Sequence, residues 1–137
     1  MYDPILVQPM RDELTVLGIK EALTPEQVDS EIKDFEGTVL IVVNSVCGCA
    51  AANARPAVQM ASDNAKQPDK KITVFAGMEK DATQTARAYF TGFPPSSPSM
   101  GLLKNGKLVY MLERHQIEGR LAEQIASDLR TAFDEHC

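Results

Sequence analysis

The chain has 137 residues, with 14 Lys and Arg against 19 Asp and Glu, for a formal net charge of −5. That length suits one domain with a real core, spanning 1–137, and the acidic balance argues against nucleic acid as a partner, because phosphates select basic patches. No stretch nears the roughly 20 apolar residues of a membrane span, Met1-Tyr2-Asp3-Pro4 offers no signal peptide, and three cysteines are too few for a secreted disulfide framework, so the reading is a cytoplasmic protein with working thiols.

Pro9 opens a helix through Met10, Leu14 and Leu17, and Gly18 stops it. Ile19 to Leu23 reads as a short edge strand. Thr24-Pro25-Glu26-Gln27 has the form of a capping box. The helix behind it carries Val28, Ile32 and Phe35 on one face and ends at Gly37. Thr38 to Val43 is β-branched and apolar nearly throughout, the pattern of a central strand covered on both faces. Asn44-Ser45-Val46 leads from it to Cys47-Gly48-Cys49, and the alanine-rich stretch that follows predicts a helix to about Ala65, bent at Pro56.

Lys71 to Ala76 is a second apolar strand. Lys80 to Phe90 is a helix that packs through Ala82, Ala86, Tyr89 and Phe90, and Gly92 closes it. Phe93-Pro94-Pro95-Ser96-Ser97-Pro98 is a rigid loop. Ser99 to Leu103 and Lys107 to Leu112 flank Lys104-Asn105-Gly106, and Asn-Gly is a strong hairpin signal. A last helix runs from Gly119 to Glu135 with Leu121, Ile125, Leu129 and Phe133 every fourth residue. This order predicts an α/β domain with a mixed central sheet between helices on both faces, closed by a C-terminal β-hairpin and helix. Lys71–Ala76 would run parallel to the central strand through a right-handed crossover.

The chemistry concentrates at Cys47-Gly48-Cys49, where a buried strand hands over to a helix. Unpaired backbone N–H groups at a helix N-terminus carry partial positive charge and favour a thiolate. Cys47 comes first and is the expected nucleophile, with Cys49, deeper in the helix, as the resolving thiol. Side chains two positions apart on a helix point to nearly opposite sides, so the two can be bridged only if Cys47 lies in the pre-helical turn. The spacing predicts a strained disulfide that forms poorly and breaks readily. Gly48 would permit unusual backbone angles and leave room for an incoming sulfur.

The strand–Cys47-Gly48-Cys49–helix unit, the Ser97-Pro98 step and the Asn105-Gly106 hairpin with its closing helix resemble the thioredoxin-like three-layer α/β/α fold, here with an extra N-terminal helix. The resemblance implies that Pro98 is cis and packs against the active-site cysteine, and that Ser97 presents backbone groups to a bound thiol. More narrowly, Val43-Asn44-Ser45-Val46-Cys47-Gly48-Cys49-Ala50-Ala51, Val74-Phe75-Ala76-Gly77, Tyr89-Phe90-Thr91-Gly92, Pro95-Ser96-Ser97-Pro98-Ser99-Met100 and His136-Cys137 resemble the bacilliredoxin family over nearly the whole chain. That resemblance implies a thiol-disulfide oxidoreductase that removes bacillithiol from S-bacillithiolated cytoplasmic proteins. Cys47 would take up the bacillithiol and Cys49 would release it. No cofactor would be bound, bacillithiol being the exchanging low-molecular-weight thiol. A separate flavoprotein bacillithiol disulfide reductase would supply electrons from NADPH. The absence of Cys-x-x-Cys and of any tryptophan departs from thioredoxin.

Two other readings stand beside this one. The cysteines could form a soft-metal module, with Cys137 and His136 joining Cys47 and Cys49, although a Cys-x-Cys pair lacks the usual zinc spacing. A weak protein disulfide isomerase is the other, without an export signal behind it. Cys137 reads as a solvated thiol, or as an auxiliary thiol if the closing helix ends near Cys47. Arg55 reads as a solvated surface residue rather than a carboxylate ligand, His115 as a cap for the last helix, and Asn44 and Ser45 as residues that hold the active-site turn.

Overall fold

The computed structural model describes residues 1–137. Five strands form one sheet in the order β1-β3-β2-β4-β5. They are β1 (Lys20–Glu21), β2 (Thr38–Asn44), β3 (Lys70–Phe75), β4 (Ser99–Lys104) and β5 (Lys107–Leu112). β2 is central and parallel to β3, with Val43 opposite Val74. β4 runs antiparallel to β2 on its other side, with Ser99 opposite Val43. The hairpin between β4 and β5 turns at Asn105 and Gly106, both at positive φ, the conformation for which Asn-Gly is selected.

All seven residues of β2 are buried, because helices cover both faces. Alternate side chains therefore enter two different cores. Leu40 and Val42 pack under α1 (Pro4–Thr15), α3 (Arg55–Ala61) and α5 (Ala122–His136), through Leu14, Ala57, Ile125 and Phe133. Val39, Ile41 and Val43 pack under α2 (Pro25–Ile32) and α4 (Lys80–Ala88), through Val28, Ile32, Ala82 and Ala86. Phe90 crosses β4 at Gly101, where any added Cβ would collide with its ring. The architecture is the three-layer α/β/α arrangement expected from the sequence.

Several boundaries differ from that expectation. The first helix begins at Pro4, not Pro9, because Asp3 caps it by accepting from Ile5 N–H at 2.9 Å and Pro4 fills the first turn. Thr24 caps α2, but Gln27 reaches back to Leu23 N–H rather than to the cap itself, and Phe35 lies beyond the helix end. The last helix starts at Ala122, leaving Leu121 64 % exposed. A short 3₁₀ turn, Arg114–Gln116, holds His115, which therefore caps nothing in α5.

The helix after the cysteines is also not uniform. Gly48 and Cys49 are helical, Ala50–Ala54 form a π-helical turn, and regular α-helix resumes only over Arg55–Ala61. Pro56 supplies the reason. Its ring has no N–H to give and crowds the carbonyl four residues back, and widening the preceding turn relieves that crowding. Arg55 N–H accordingly reaches the Ala50 carbonyl, five residues back.

Candidate active site

Cys47 occupies the N-cap position of this helix. Its carbonyl accepts from Ala50 N–H at 3.0 Å and from Ala51 N–H at 3.3 Å. Its sulfur does what a capping oxygen would do, accepting from Cys49 N–H at 3.3 Å. Cys47 is half-exposed, whereas Cys49 is 8 % exposed. The two sulfurs are paired as a disulfide across a Cα–Cα distance of 5.4 Å, inside the usual range. Cys47 thus lies in the pre-helical turn, the one placement that lets a Cys-x-Cys pair bridge. Gly48 is exposed and open space surrounds it, but its φ is not positive. Room above the turn, rather than an unusual backbone angle, is what glycine contributes here.

The turn is held from below. Ser45 Oγ accepts from Cys47 N–H at 3.1 Å, and Asn44 Oδ1 accepts from Ser45 N–H at 2.9 Å. Asn44 Nδ2 donates to the Met10 carbonyl at 3.1 Å, tying the turn to α1. These are the holding roles expected of Asn44 and Ser45. Arg55 corrects the sequence reading: it is 3 % exposed and points inward. Its Nη1 donates to Asn44 Oδ1 at 3.0 Å and to the Ser45 carbonyl at 2.9 Å. Its Nε lies 3.1 Å from Glu13 Oε2, close enough for an ion pair although not aligned as a hydrogen bond. A guanidinium taken out of water needs such acceptors and a countercharge. Only Glu13, on the extra N-terminal helix, supplies its countercharge, which a local reading of the motif cannot anticipate.

α1 is clamped at the same end. Arg11 grips Glu79 with both terminal nitrogens, at 2.6 and 2.8 Å, and lies over the Phe75 ring. On the other side of the site, Asn53 Nδ2 donates to the Arg120 carbonyl.

The Ser97–Pro98 peptide is cis, and Pro98 is buried. Register places it beside the site: Ser99 pairs with Val43, so Pro98 stands at the carboxyl end of β2, from which the cysteine turn departs. The Ser97 carbonyl is already engaged by Arg114 Nη1 at 3.2 Å. Of the backbone groups expected to face a bound thiol there, that oxygen is thus shared with a side chain 17 residues away, which no local pattern signals. His115 is exposed, with Nε2 3.7 Å from Glu113 Oε2.

Cys137 does not join the site. It ends α5 as an exposed residue, the solvated thiol expected from sequence, beside Thr38, Lys104, Lys66 and Asp69, and partial desolvation of its thiol there pushes the pKa up. Thr38 begins β2 and Cys47 follows its end, so the two thiols are about 20 Å apart along a seven-residue strand. The auxiliary-thiol expectation fails on that geometry. The four-donor metal set fails with it, since His136 and Cys137 sit together at the far end and no three His, Cys, Asp or Glu converge anywhere.

The disulphide isomerase family model matches residues 2–137. A bacilliredoxin of Koribacter versatilis is 53% identical over 137 residues, covering 100% of this chain and 94% of that protein. A bacilliredoxin of Bacillus licheniformis is 52% identical over 133 residues, covering 96% and 92%. Among solved structures, the thioredoxin of Malassezia sympodialis superposes with a TM-score of 0.59 at 17% identity, covering 86% of this chain and 90% of its own. Oxidised thioredoxin from Plasmodium falciparum gives 0.54 at 18% identity, covering 85% and 96%. These distant likenesses establish the thioredoxin fold.

Proposed function

This chain belongs to the disulphide isomerase family, among the bacilliredoxins, and on that premise we propose that it is a thiol-disulfide oxidoreductase that takes bacillithiol off S-bacillithiolated proteins. The observation that carries the reading is Cys47 at the helix N-cap, half-exposed, with its sulfur accepting the Cys49 N–H. A hydrogen bond to a sulfur strengthens when the sulfur is a thiolate, and the helix terminus adds its own positive potential.

The Cys47 thiolate attacks the bacillithiol sulfur of the mixed disulfide. The S–S bond to the client breaks, the client leaves as a thiolate that takes up a proton, and a Cys47–bacillithiol disulfide forms. The Cys49 thiolate then attacks Cys47 Sγ, which expels bacillithiol and leaves the Cys47–Cys49 disulfide. Two bacillithiols reduce that disulfide to the dithiol and leave as bacillithiol disulfide, which a separate flavoprotein reductase returns to the thiol with electrons from NADPH. Gly48, Ser97 and Pro98 frame the place where the incoming disulfide lies.

The test is release of bacillithiol from an S-bacillithiolated client by the reduced protein. One equivalent of client thiol should appear with wild type and none above background with Cys47→Ala. A family model described as disulphide isomerase favours a second reading, reshuffling of protein disulfides. Regain of activity by a scrambled disulfide protein separates the two.

A further inference from the structure

Of the clefts on this molecule, one is lined by cations without carboxylates. It runs along α4, between the corner Gly77–Met78 and the loop at Pro95. Its two lobes enclose about 510 Å³ each and share Lys80 and Arg87. That is the size of a small-molecule site rather than a polypeptide groove. Exposed Lys80 and Gln84 and partly exposed Arg87 stand at helical spacing along α4, with buried Thr83 at the floor, and no Asp or Glu lines either lobe. In a chain of net charge −5, such a gap in the acidic surface is a local feature.

Arg87 is incompletely satisfied. Nη2 donates to the Ser96 carbonyl at 3.3 Å, Nε is buried with no partner, and no carboxylate pairs with it. Burial without a counter-ion lowers its pKa, though an arginine remains charged. The cleft on the other side of this loop differs. There Arg114 is paired to Glu118 at 2.8 Å and His115 stands by Glu113, so its cations are already offset.

The Lys80–Arg87 cleft lies at the site end of the sheet. Ala76 N–H bonds to the Asn44 carbonyl at 3.0 Å, which sets the corner before the cleft beside the end of β2. Ser96, held by Arg87, is two residues before Pro98. We infer that Lys80 and Arg87 form an anion subsite that binds the carboxylate end of the low-molecular-weight thiol while its sulfur exchanges at Cys47. The inference rests on the oxidoreductase reading above and adds the residues that select a small anionic thiol. Arg87 offers the fork that suits a carboxylate, and Lys80 adds a mobile point charge.

The test compares two probes: bacillithiol disulfide, whose thiols carry carboxylates, and the same disulfide methyl-esterified. Rates of Cys47 mixed-disulfide formation are measured in a Cys49→Ala, Cys137→Ser background, alone and with Arg87→Gln or Lys80→Gln. The background protein should prefer the anionic probe. Arg87→Gln should cut that preference about tenfold, the scale of one charge-assisted hydrogen bond, while leaving the ester rate unchanged. Lys80→Gln, which removes an exposed side chain, should lower it less, and added salt should move the background protein toward the variants. An unchanged preference in both variants overturns the subsite alone. Reaction with neither probe overturns the oxidoreductase reading and the subsite with it. Should Arg87→Gln fail to fold, the Lys80→Gln arm and the salt dependence decide the question.

Discussion

Cys49 N–H donates to Cys47 Sγ at 3.3 Å, so the second cysteine supports the first through its backbone as well as its thiol. Cys49→Ala keeps that donor, because alanine retains the N–H. The reduced Cys49→Ala protein should therefore still label rapidly at Cys47. Iodoacetamide at pH 7 should modify Cys47 about tenfold faster than Cys137, which is exposed but whose pKa is raised toward the unreactive thiol form. Peptide mapping of a time course checks the order; faster labelling of Cys137 would contradict it.

Arg55 and Ser45 form the next relationship. Arg55→Met leaves the Ser45 carbonyl and Asn44 Oδ1 without their shared donor inside the fold. Glu13 is half-exposed and keeps its solvation, so the cost is that of buried neutral acceptors left unsatisfied, about 1–3 kcal/mol. Denaturant unfolding should register that loss, and Arg55→Lys should recover part of it by keeping the charge without the fork. Loss below about 1 kcal/mol for Arg55→Met would mean the network is dispensable.

Cys137→Ser should leave bacillithiol release within about twofold of wild type, because about 20 Å of β2 separates it from Cys47. A progress curve with the bacillithiolated client is enough. A tenfold loss would require the closing helix to leave its place.

Tyr89 gives a pH signature. Its hydroxyl is partly buried and donates to Asp29 Oδ1 at 2.6 Å, and burial first, then Asp29, pushes its pKa up to about 12. An unfolded tyrosine ionises near 10. Between about pH 10 and 12 the unfolded chain releases a proton that the folded one keeps, so stability present below pH 10 is lost as pH rises. Tyr89→Phe should make that decline shallower without abolishing it, since Tyr110 is also raised to about 12. Chemical unfolding at pH 9, 10 and 11 measures the slope, and identical slopes would exclude the contribution.

Much of this was legible in the chain. Thr38–Val43 announced a buried strand by composition alone, and the Asn105-Gly106 turn fixed the hairpin. Where sequence reading failed, the missing term was tertiary. Arg55 looks like a surface residue until Glu13 of α1 and the Asn44-Ser45 turn close around it. The π-helical turn follows from Pro56, whose bend was foreseen but not its form. Cys137 could be placed only by the direction of α5, which carries the terminus back to Thr38. Arg114 on the Ser97 carbonyl joins residues 17 apart in sequence, with no local pattern to signal it.

The most direct measurement is intact-protein mass spectrometry after mixing a bacillithiolated client with wild type, Cys47→Ala and Cys49→Ala. The account predicts one bacillithiol adduct on Cys49→Ala, mapped to Cys47, none on Cys47→Ala, and a Cys47–Cys49 disulfide in wild type, with client thiol freed. An unmodified client with every variant, from protein that is folded and reduced, would contradict it.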